Sequence, residues 1–406
     1  MRSPRHWPTA SSSRRGKQVH EIPWCQADLA GNETPYLAQA AAAGQIGPAG
    51  EFLDRFEEQV ARLAGSRYAV AISSGTAALH IALILAGVRP GDEVLTSAWT
   101  FVATANAIRH AGAHPVGLDI DPGNWQVDPA QVEQFLDRHC PCAGRRTINT
   151  ATGRPVTAIV PVHLLGHPAD LDPIRETAGR YGLAVVEDAA QALGASYKGH
   201  PVGSDGIAAV SFNLNKIITT GGGGAVLTSD PDLAARARYL INQARDNPGE
   251  YQHGETGWNY RMSNLHAAVG VAQAERLADI IDAKRRIRDR YADALACQHG
   301  ITFQASAAWA QPTWWLTTIG VAPEAGTTGV QVRKELARLG IQTGPPWTPL
   351  HLTGAHRGCA PDPCPTAENL GRTAIHLPCS ASLSTTDQDR VITAIRGVFA
   401  ADGRAA

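Results

Sequence analysis

Short apolar runs alternate with helix-like segments through the first half of this 406-residue chain. The run Tyr68-Ala-Val-Ala-Ile72 is typical of a buried strand, and the apolar residues up to Leu85 predict a helix after it. Further strands are predicted at 93–95, 116–118, 158–160, 184–186, 208–212 and 225–227, and further helices at 51–65, 104–110, 129–138 and 171–181. This alternation predicts an α/β fold in which helices cover both faces of a large, mostly parallel sheet.

The last part of the chain predicts a second, smaller unit. A long helix is predicted at 264–295, followed after residue 300 by a strand (314–321), a helix (329–339) and a Pro-rich loop (345–349). With 44% hydrophobic residues, the chain is long enough to bury two cores. We therefore predict a flexible N-terminal arm (1–27), a large α/β domain (28–290) and a small C-terminal α+β domain (291–406).

Composition argues against several classes of partner. The 36 Lys and Arg residues balance 37 Asp and Glu residues, so the bulk charge favours neither nucleic acid nor an anionic membrane. No apolar run approaches the ~18 residues of a membrane span, and the polar first 27 residues lack the apolar segment of a secretory signal. Seven scattered cysteines suit a reducing cytoplasm. Cys140-Pro-Cys142 beside His139 is interpreted as a loop, because no second pair completes a metal site.

One lysine stands between two apolar runs. Lys216 follows Ser211-Phe-Asn-Leu-Asn215 and precedes Ile217-Ile218, and four glycines (221–224) come shortly after it. A buried ammonium is costly, so such a lysine usually loses its charge or reacts. A glycine run is tolerated mainly where the backbone bends or approaches a ligand. We therefore predict a ligand against this segment; the flanking isoleucines disfavour the alternative, a lysine in a surface turn.

Polar groups follow two other predicted strands. Ser74-Gly75-Thr76 stands at a strand-to-helix turn, where free N–H groups and the helix dipole favour a phosphate. An ordinary helix N-cap is the alternative there. Asp188 follows the strand at 184–186 and suits either a ligand carboxylate or a helix cap. Because ligands of open α/β sheets bind beyond the carboxyl ends of the strands, we expect Asp188 and Lys216 to share one site.

A phosphate cradle, a strand-end carboxylate and an isolated lysine together meet the needs of pyridoxal 5'-phosphate (PLP). The lysine supplies an amine for a Schiff base, the carboxylate keeps the pyridine nitrogen protonated, and the cradle anchors the phosphate. A P-loop is excluded, because in that motif the glycines precede the lysine, whereas here they follow it. A dinucleotide fingerprint is also excluded, because this glycine run leads into a strand rather than a helix.

Six motifs, in order along the chain, resemble those of the DegT/DnrJ/EryC1/StrS aminotransferases, which act on nucleotide-linked keto-sugars. The resemblance spans residues 22–399. The motifs are Ser73-Ser-Gly-Thr-Ala-Ala-Leu79, Trp99-Thr-Phe-Val-Ala-Thr104, Pro161-Val-His-Leu-Leu-Gly166, Glu187-Asp-Ala-Ala-Gln191, Ser211-Phe-Asn-Leu-Asn-Lys216 with Thr219-Thr-Gly221, and Trp258-Asn-Tyr-Arg-Met262. The resemblance implies the PLP-dependent aminotransferase fold of type I.

It also implies cofactor contacts. Lys216 would form the Schiff base with PLP and move protons, and Asp188 would pair with the pyridine nitrogen. Gln191 would contact the phenolic oxygen of the ring. The phosphate would be held by Ser74, Gly75, Thr76 and Ser211.

Other matched positions lie around the cofactor. Phe101 would stack on the ring, in preference to Trp99. Asn259 matches a residue that reaches the cofactor phosphate of the neighbouring subunit, which implies a homodimer with shared active sites. The remaining matches, at the substrate mouth, are His163, Trp347 and His351. For the two histidines, a structural role near a strand end is the alternative.

The resemblance implies that L-glutamate donates the amino group and that a nucleotide-linked keto-sugar accepts it. Asn215-Lys-Ile-Ile-Thr-Thr-Gly-Gly-Gly-Gly224 most resembles the branch that aminates 4-keto sugars on UDP. Family members commonly carry Glu at the position of Gly222 and Arg at the position of Gly344. The second difference removes a cation and so permits a different acceptor, such as an aminocyclitol precursor or another ketone. Relatives that remove a hydroxyl carry histidine at Lys216, and a non-enzymatic relative is disfavoured because Lys216, Asp188 and Gln191 are all present.

Overall fold

The structure is a computed structural model that describes residues 20–141, 146–247 and 249–402. Its helices are α1 (Glu33–Ala42), α2 (Glu51–Ala64), α3 (Gly75–Leu85), α4 (Ala103–His110), α5 (Pro129–His139), α6 (Leu171–Tyr181), α7 (Pro231–Ile241), α8 (Asn264–Glu275), α9 (Leu277–Leu295), α10 (Gly329–Arg338), α11 (Pro365–Thr373) and α12 (Thr385–Asp402). Its strands are β1 (Tyr68–Ile72), β2 (Glu93–Ser97), β3 (His114–Leu118), β4 (Ile148–Asn149), β5 (Arg154–Val160), β6 (Ala184–Asp188), β7 (Ser196–Tyr197), β8 (His200–Pro201), β9 (Ile207–Ser211), β10 (Gly224–Thr228), β11 (Ile301–Phe303), β12 (Ala310–Gln311), β13 (Thr318–Val321) and β14 (Ala374–His376).

The large sheet has the order β1-β10-β9-β6-β5-β2-β3, with β4 paired to β5 outside this path. Strands β9, β6, β5, β2 and β3 are parallel neighbours, whereas β10 is antiparallel to both β1 and β9. The mostly parallel sheet of the predicted α/β fold is thus confirmed. Because β1 therefore runs in the direction of β9, the residues after β1, β6 and β9 all emerge at one edge.

Alternate residues of the strands pack on opposite faces of this sheet. Val70 and Ile72 of β1 belong to the core formed with α3, α4 and α7. Ala69 and Ala71 belong instead to the core formed with α2 and α8. This period of two, with apolar residues on both sides, is what a sheet covered on both faces requires.

A smaller antiparallel sheet, β11-β13-β14, lies beside α10, α11 and α12. This agrees with a C-terminal α+β unit, while the domain boundaries at 28, 291 and 406 stay a prediction. The predicted strand 314–321 is shorter, because Trp314 has a φ of +52° and only Thr318–Val321 pairs. The predicted helix 264–295 is interrupted at Arg276, whose φ of −111° is not helical.

The predicted flexible arm needs a correction. Residues 1–19 lie outside the described residues, as does Cys142 of the Cys140-Pro-Cys142 loop. Residues 20–27, however, pack against the C-terminal unit that contains the small sheet. The Ile22 N–H donates to Gly340 O and Ile22 O accepts from Gln342 N, both at 2.9 Å, and the side chain is buried. An apolar side chain such as Ile22 can be buried in the neighbouring core, so this segment is ordered rather than an arm.

Two kinds of feature, a membrane-spanning helix and a metal-binding cluster, are absent from the described residues. Within 20–141, 146–247 and 249–402, no helix is both long and apolar enough to cross a membrane. The same part of the chain contains no cluster of three or more His, Cys, Asp or Glu side chains arranged to hold a metal ion.

Candidate active site

A pocket of about 250 Å³ lies at the carboxyl ends of β1, β6 and β9. It is lined by eight of the nine predicted cofactor contacts: Ser74, Gly75, Thr76, Phe101, Asp188, Gln191, Ser211 and Lys216. A larger cavity, of about 690 Å³, is lined by Asp92, Pro155 and Gly182, which precede or begin strands and so mark the opposite edge of the sheet. The smaller pocket is therefore where the predicted chemistry converges.

Asp188, the last residue of β6, is buried and held from two sides. Thr104 Oγ1 donates to Asp188 Oδ2 at 2.7 Å, and the Ala190 backbone N–H donates to Oδ1 at 3.1 Å. Burial raises the pKa of Asp188, and these two hydrogen bonds together with the charge of Lys216 oppose that shift. A cationic ring nitrogen in the pocket would stabilise the carboxylate in the same way.

The neighbouring carboxylate, Glu187, points to the other side of β6. Its partners are His163 Nε2 at 3.1 Å, Arg175 at 2.9 Å and the Gly203 N–H at 3.0 Å. Burial alone would raise the pKa of Glu187, but the hydrogen bond from His163 and the Arg175 charge outweigh it and lower the pKa. Ala169 N donates to His163 Nδ1, so the His163 proton lies on Nε2, facing Glu187.

This placement does not fit the prediction that His163 contacts substrate. The side chain is fully buried and has both ring nitrogens occupied, whereas the pocket is lined by the opposite side of β6. The structural alternative stated for this histidine describes it better. The His163 backbone N–H also donates to Asp188 O at 3.1 Å, so the residue braces the strand end that carries the carboxylate.

The first turn of α3 forms the predicted phosphate cradle. Ser74 is its N-cap, and its hydroxyl accepts from Ala77 N at 3.1 Å, so the N-cap alternative also holds for this side chain. The backbone N–H groups of Gly75 and Thr76 have no partner within the helix and border the pocket. A Cβ at Gly75 would lie 2.5 Å from Ser211 Cβ, so only glycine lets β9 approach this turn.

The glycine run after Lys216 closes the connection between β9 and β10. Phe212 pairs with Gly223 and Thr220 through its backbone, and Gly221 has a φ of +81° that favours glycine. A Cβ at Gly224 would lie 2.7 Å from Ser74 O, because β10 passes directly behind the cradle. At Gly222, in contrast, an added Cβ meets nothing within 4 Å, although the residue borders the pocket. Gly222 therefore leaves room for a ligand.

Lys216 projects from this connection between two different surroundings. Asp188 lies on one side, and on the other its ammonium sits 4.0 Å from the centre of the Trp315 ring. Burial lowers the pKa of Lys216 to about 8, and the charge of Asp188 opposes the shift. A lysine with this pKa is partly a free amine near neutral pH, which is the form that attacks a carbonyl or accepts a proton.

Two further predicted contacts have suitable placements. Gln191 Oε1 accepts from Leu165 N at 2.7 Å, which leaves the side-chain NH₂ to face the pocket. Phe101 borders the pocket and is 50% exposed, so its ring is available for stacking. Trp99 is fully buried between Trp125 and Trp347, and the placement thus favours Phe101 over Trp99.

The other predicted residues lie outside the pocket of this chain. Asn259 is exposed, in a segment whose backbone bridges to Asn242. His351 lies in a 3₁₀ turn, with Nε2 at 3.3 Å from Glu368 Oε1. Trp347 is partly exposed and lies beside Trp315, at 6.4 Å between ring centres.

An aromatic row leads away from the lysine: Trp315, Trp347, His376 and Trp24, with successive ring centres 5.3–6.4 Å apart. This row also accounts for Gly344. A Cβ at Gly344 would lie 2.8 Å from Trp24 ring atoms and 2.9 Å from His376 Cβ. The Trp24 ring occupies the space that a longer side chain at position 344 would need.

Three residues of the site were not predicted. Thr104 ends the motif that begins at Trp99, so a hydroxyl beside Phe101 was a signal that could have been used. Trp315 and Trp24 come from segments far from Lys216 in sequence, and neither carries a local pattern that predicts its contact. Only the fold brings them together.

The residues present fit PLP. One pocket holds an amine with a lowered pKa, a buried carboxylate, a helix N-terminus and a glycine whose missing side chain opens space. The large sheet with this strand-end constellation defines a PLP-dependent aminotransferase of fold type I.

Comparison with known proteins identifies the family. Residues 27–396 match the DegT/DnrJ/EryC1/StrS aminotransferase family. The chain is 39% identical to GDP-perosamine synthase of Caulobacter vibrioides, over 91% of this chain and 96% of that protein. It is 37% identical to the putative PLP-dependent aminotransferase EpsN of Bacillus subtilis, over 91% and 94%. The solved structure of S. venezuelae DesV matches with a TM-score of 0.82 at 33% identity, covering 93% of this chain and 98% of that one. The chain belongs to the DegT/DnrJ/EryC1/StrS aminotransferase family, as the six motifs predicted.

Proposed function

We propose that this enzyme transfers the amino group of L-glutamate to a nucleotide-linked keto-sugar by a ping-pong mechanism. The observation that carries the proposal is the convergence of Lys216 and Asp188 on one pocket beside the α3 N-terminus. The nucleotide-sugar acceptor is supported by the name of the Caulobacter relative, GDP-perosamine synthase.

When bound, PLP supplies a carbonyl that condenses with amines and a ring that accepts an electron pair. Lys216 would hold the cofactor through its Nζ and, once released, move a proton with the same nitrogen. Its pKa of about 8 suits both tasks, since neither protonation state is out of reach near neutral pH. Asp188, oriented by Thr104 and the Ala190 N–H, would hold a proton on the ring nitrogen.

The other contacts would orient the cofactor. The N–H groups of Gly75 and Thr76 and the Ser211 hydroxyl would bind its phosphate, Phe101 would cover one ring face, and the Gln191 amide would bind the phenolic oxygen. These roles are proposed from placement and resemblance together.

A homodimer with shared sites is part of this proposal. Phe101 lines the pocket, and Leu214 follows Asn213, which also lines it. Their side chains are 50% and 61% exposed, and large exposed apolar side chains beside a site favour burial against a partner. Asn259 lies outside the pocket of its own chain, which suits a contact with the partner's cofactor. Mixing the Lys216→Ala and Asn259→Ala enzymes, each inactive alone, should then restore activity; mixed dimers without activity would contradict shared sites.

The chemical identity of the acceptor is the finer part of this proposal. The residues around Lys216 predict a UDP-linked 4-keto-6-deoxyhexose, and the Caulobacter relative is named for a GDP-linked sugar. Trp24 over Gly344 gives the loop an aromatic surface without a cation, which favours a second candidate, a cyclic ketone without a nucleotide such as an aminocyclitol precursor.

The test combines spectra and products. The purified enzyme should show a cofactor absorption band that changes with L-glutamate and returns with the correct acceptor. UDP-, GDP- and TDP-linked 4-keto-6-deoxyhexoses and an inosose should be compared, with the aminated product identified by mass spectrometry. No cofactor band after added PLP would overturn the enzyme proposal, whereas amination of the inosose alone would replace the acceptor. The cytoplasmic location stays a prediction, to be tested by fractionation.

A further inference from the structure

Two cysteines far apart in sequence meet behind the loop that carries Lys216. Cys25 lies in the ordered N-terminal segment, and Cys379 follows β14. The Cys379 N–H donates to Trp24 O at 2.9 Å, which brings the two backbones together. The two side chains are close enough that each shifts the pKa of the other. Cys379 is fully buried, whereas Cys25 keeps some exposure.

A buried lysine stands beside this pair. Among the described residues, the hydrogen-bond partners of Lys284 Nζ are two neutral carbonyls, Trp315 O at 3.0 Å and Cys379 O at 2.9 Å. An ammonium held only by carbonyls favours a nearby anion. The contact with Cys25 and the charge of Lys284 lower the pKa of Cys379, whereas the contact with Cys379 and burial raise the pKa of Cys25. Cys379 is therefore the thiol of the pair that ionises more readily.

The pair also contacts the active site. Cys25 Sγ donates to Asn215 O at 3.4 Å, next to Lys216 in sequence. The Trp315 indole N–H donates to the same carbonyl, and the Trp315 ring holds the Lys216 ammonium. The Cys379 thiol donates to Trp315 O at 3.8 Å. A change at the thiols therefore reaches the lysine through Asn215 and Trp315.

We propose that Cys25 and Cys379 form an oxidation site at which a hydroperoxide is reduced and an intramolecular disulfide forms. Once ionised, Cys379 attacks the terminal oxygen and the O–O bond breaks, which yields a sulfenic acid. The alkoxide or hydroxide that leaves takes up a proton from solvent and departs as alcohol or water. The Cys25 sulfur then displaces hydroxide from Cys379, and its proton leaves with the hydroxide as water. Two thiols are oxidised by two electrons, and one peroxide is reduced.

The disulfide removes both thiol donors, the one that binds Asn215 O and the one that binds Trp315 O. Both changes lie one residue or one ring away from Lys216. The site thus links peroxide to the cofactor lysine, and its chemistry is independent of which ketone the enzyme aminates.

The chain offers a matched control pair. Cys359 and Cys364 are neighbours beside Gly117 of β3, and burial raises their pKa values to about 11 and about 12. The PLP-loaded enzyme is treated with hydrogen peroxide, its free thiols are blocked with iodoacetamide, and the unreduced digest is read by mass spectrometry. We expect a Cys25–Cys379 linked peptide, reversed by dithiothreitol, that forms at least ~10-fold faster than oxidation of the control pair. Alkylated Cys25 and Cys379 after treatment, or equal rates at both pairs, would overturn the proposal.

Two variants sharpen the test. In Cys25→Ser, the partner that resolves the sulfenic acid is missing, so dimedone should label Cys379. In Cys359→Ser, the linked peptide should form as in the wild type. Absence of dimedone label on Cys379 in a Cys25→Ser enzyme that still binds PLP would show that Cys379 does not react with peroxide.

Discussion

Lys216 stands between two surfaces of opposite character. The strand-end face (Ser74–Thr76, Asp188, Gln191 and Ser211) is polar, and its groups are fixed by hydrogen bonds to backbone or to hydroxyls. The aromatic row (Trp315, Trp347, His376 and Trp24) is held by ring contacts and comes from the C-terminal unit and the N-terminal segment. The strand-end face carries the groups proposed to act in catalysis, whereas the aromatic row shapes the surface behind Lys216. Changes to the face should therefore lower kcat. Changes to the row should alter stability, pH dependence or acceptor preference.

The largest effect is expected at the residue between the two surfaces. Lys216→Ala removes the amine that we propose holds the cofactor and moves the proton, so we expect kcat to fall by about 1,000-fold or more. Lys216→Arg is the matched control, since it keeps a cation but no amine of usable pKa. Single-turnover kinetics with L-glutamate measure the loss. If either variant kept one tenth of the activity, another residue would have to move the proton.

Asp188→Asn tests the face. Loss of the charge opposite the ring nitrogen should lower kcat by about 100- to 1,000-fold, as for other preorganised electrostatic partners. Burial raises the pKa of Asp188, so in the PLP-free enzyme the charged side chain costs stability at neutral pH, and the cost disappears as the pH falls through the raised pKa. The PLP-free variant should therefore unfold at no lower temperature than the wild type. A lower unfolding temperature together with unchanged kcat would make Asp188 a structural residue.

The strand-end face was predictable from sequence, whereas the aromatic row as a unit was not, although Trp347 was assigned to the substrate mouth. Ser74, Asp188 and Lys216 each follow a short apolar strand, and parallel strands place such residues at one edge whatever the loops do. That pattern does not show which side of the sheet a strand-end histidine faces. His163 was therefore assigned to substrate, although it faces Glu187.

A stability experiment tests the packing of the aromatic row. Gly344→Ala places a Cβ 2.8 Å from the Trp24 ring, which should lower the free energy of unfolding by about 1–3 kcal/mol. In the matched control Gly222→Ala, the added Cβ meets nothing within 4 Å, so the change should stay within about 0.5 kcal/mol. Urea unfolding measures both.

The double variant Trp24→Ala/Gly344→Ala identifies the cause. If Trp24 fills the space above Gly344, the two changes should be non-additive by about 1 kcal/mol or more. Additive losses would assign the cost of Gly344→Ala to His376 instead.

The smallest effect concerns pH. Lys216 has a lowered pKa of about 8, so its free amine, and with it the rate of PLP binding to the empty enzyme, should increase as the pH rises through about 8. The Trp315 ring favours the ammonium by about 0.5–1 kcal/mol. Trp315→Leu should therefore lower the pKa and move the midpoint down by about half a unit, whereas Trp347→Leu should leave it unchanged. A midpoint that rises would mean that the ring acts mainly by excluding water.

The aromatic row escaped prediction for a physical reason. Trp24 lies in the predicted arm, Trp315 in a predicted strand and Trp347 in a predicted Pro-rich loop. An isolated tryptophan is as typical of a core as of a site. Their meeting depends on the N-terminal segment crossing to the C-terminal unit. A polar, basic stretch before Ile22 predicts an arm, and the one buried isoleucine that contradicts it is not a pattern.

That crossing has a consequence for biosynthesis. The backbone partners of the N-terminal segment, Gly340 and Gln342 for Ile22 and Cys379 for Trp24, leave the ribosome long after it. At about 5–20 residues per second, the N-terminal segment waits for tens of seconds after its own synthesis before its binding groove exists. During that interval Trp24 and Ile22 are open to chaperones and proteases. The docking of this early-made segment is thus a late folding event, and it sets in place the surface behind Lys216.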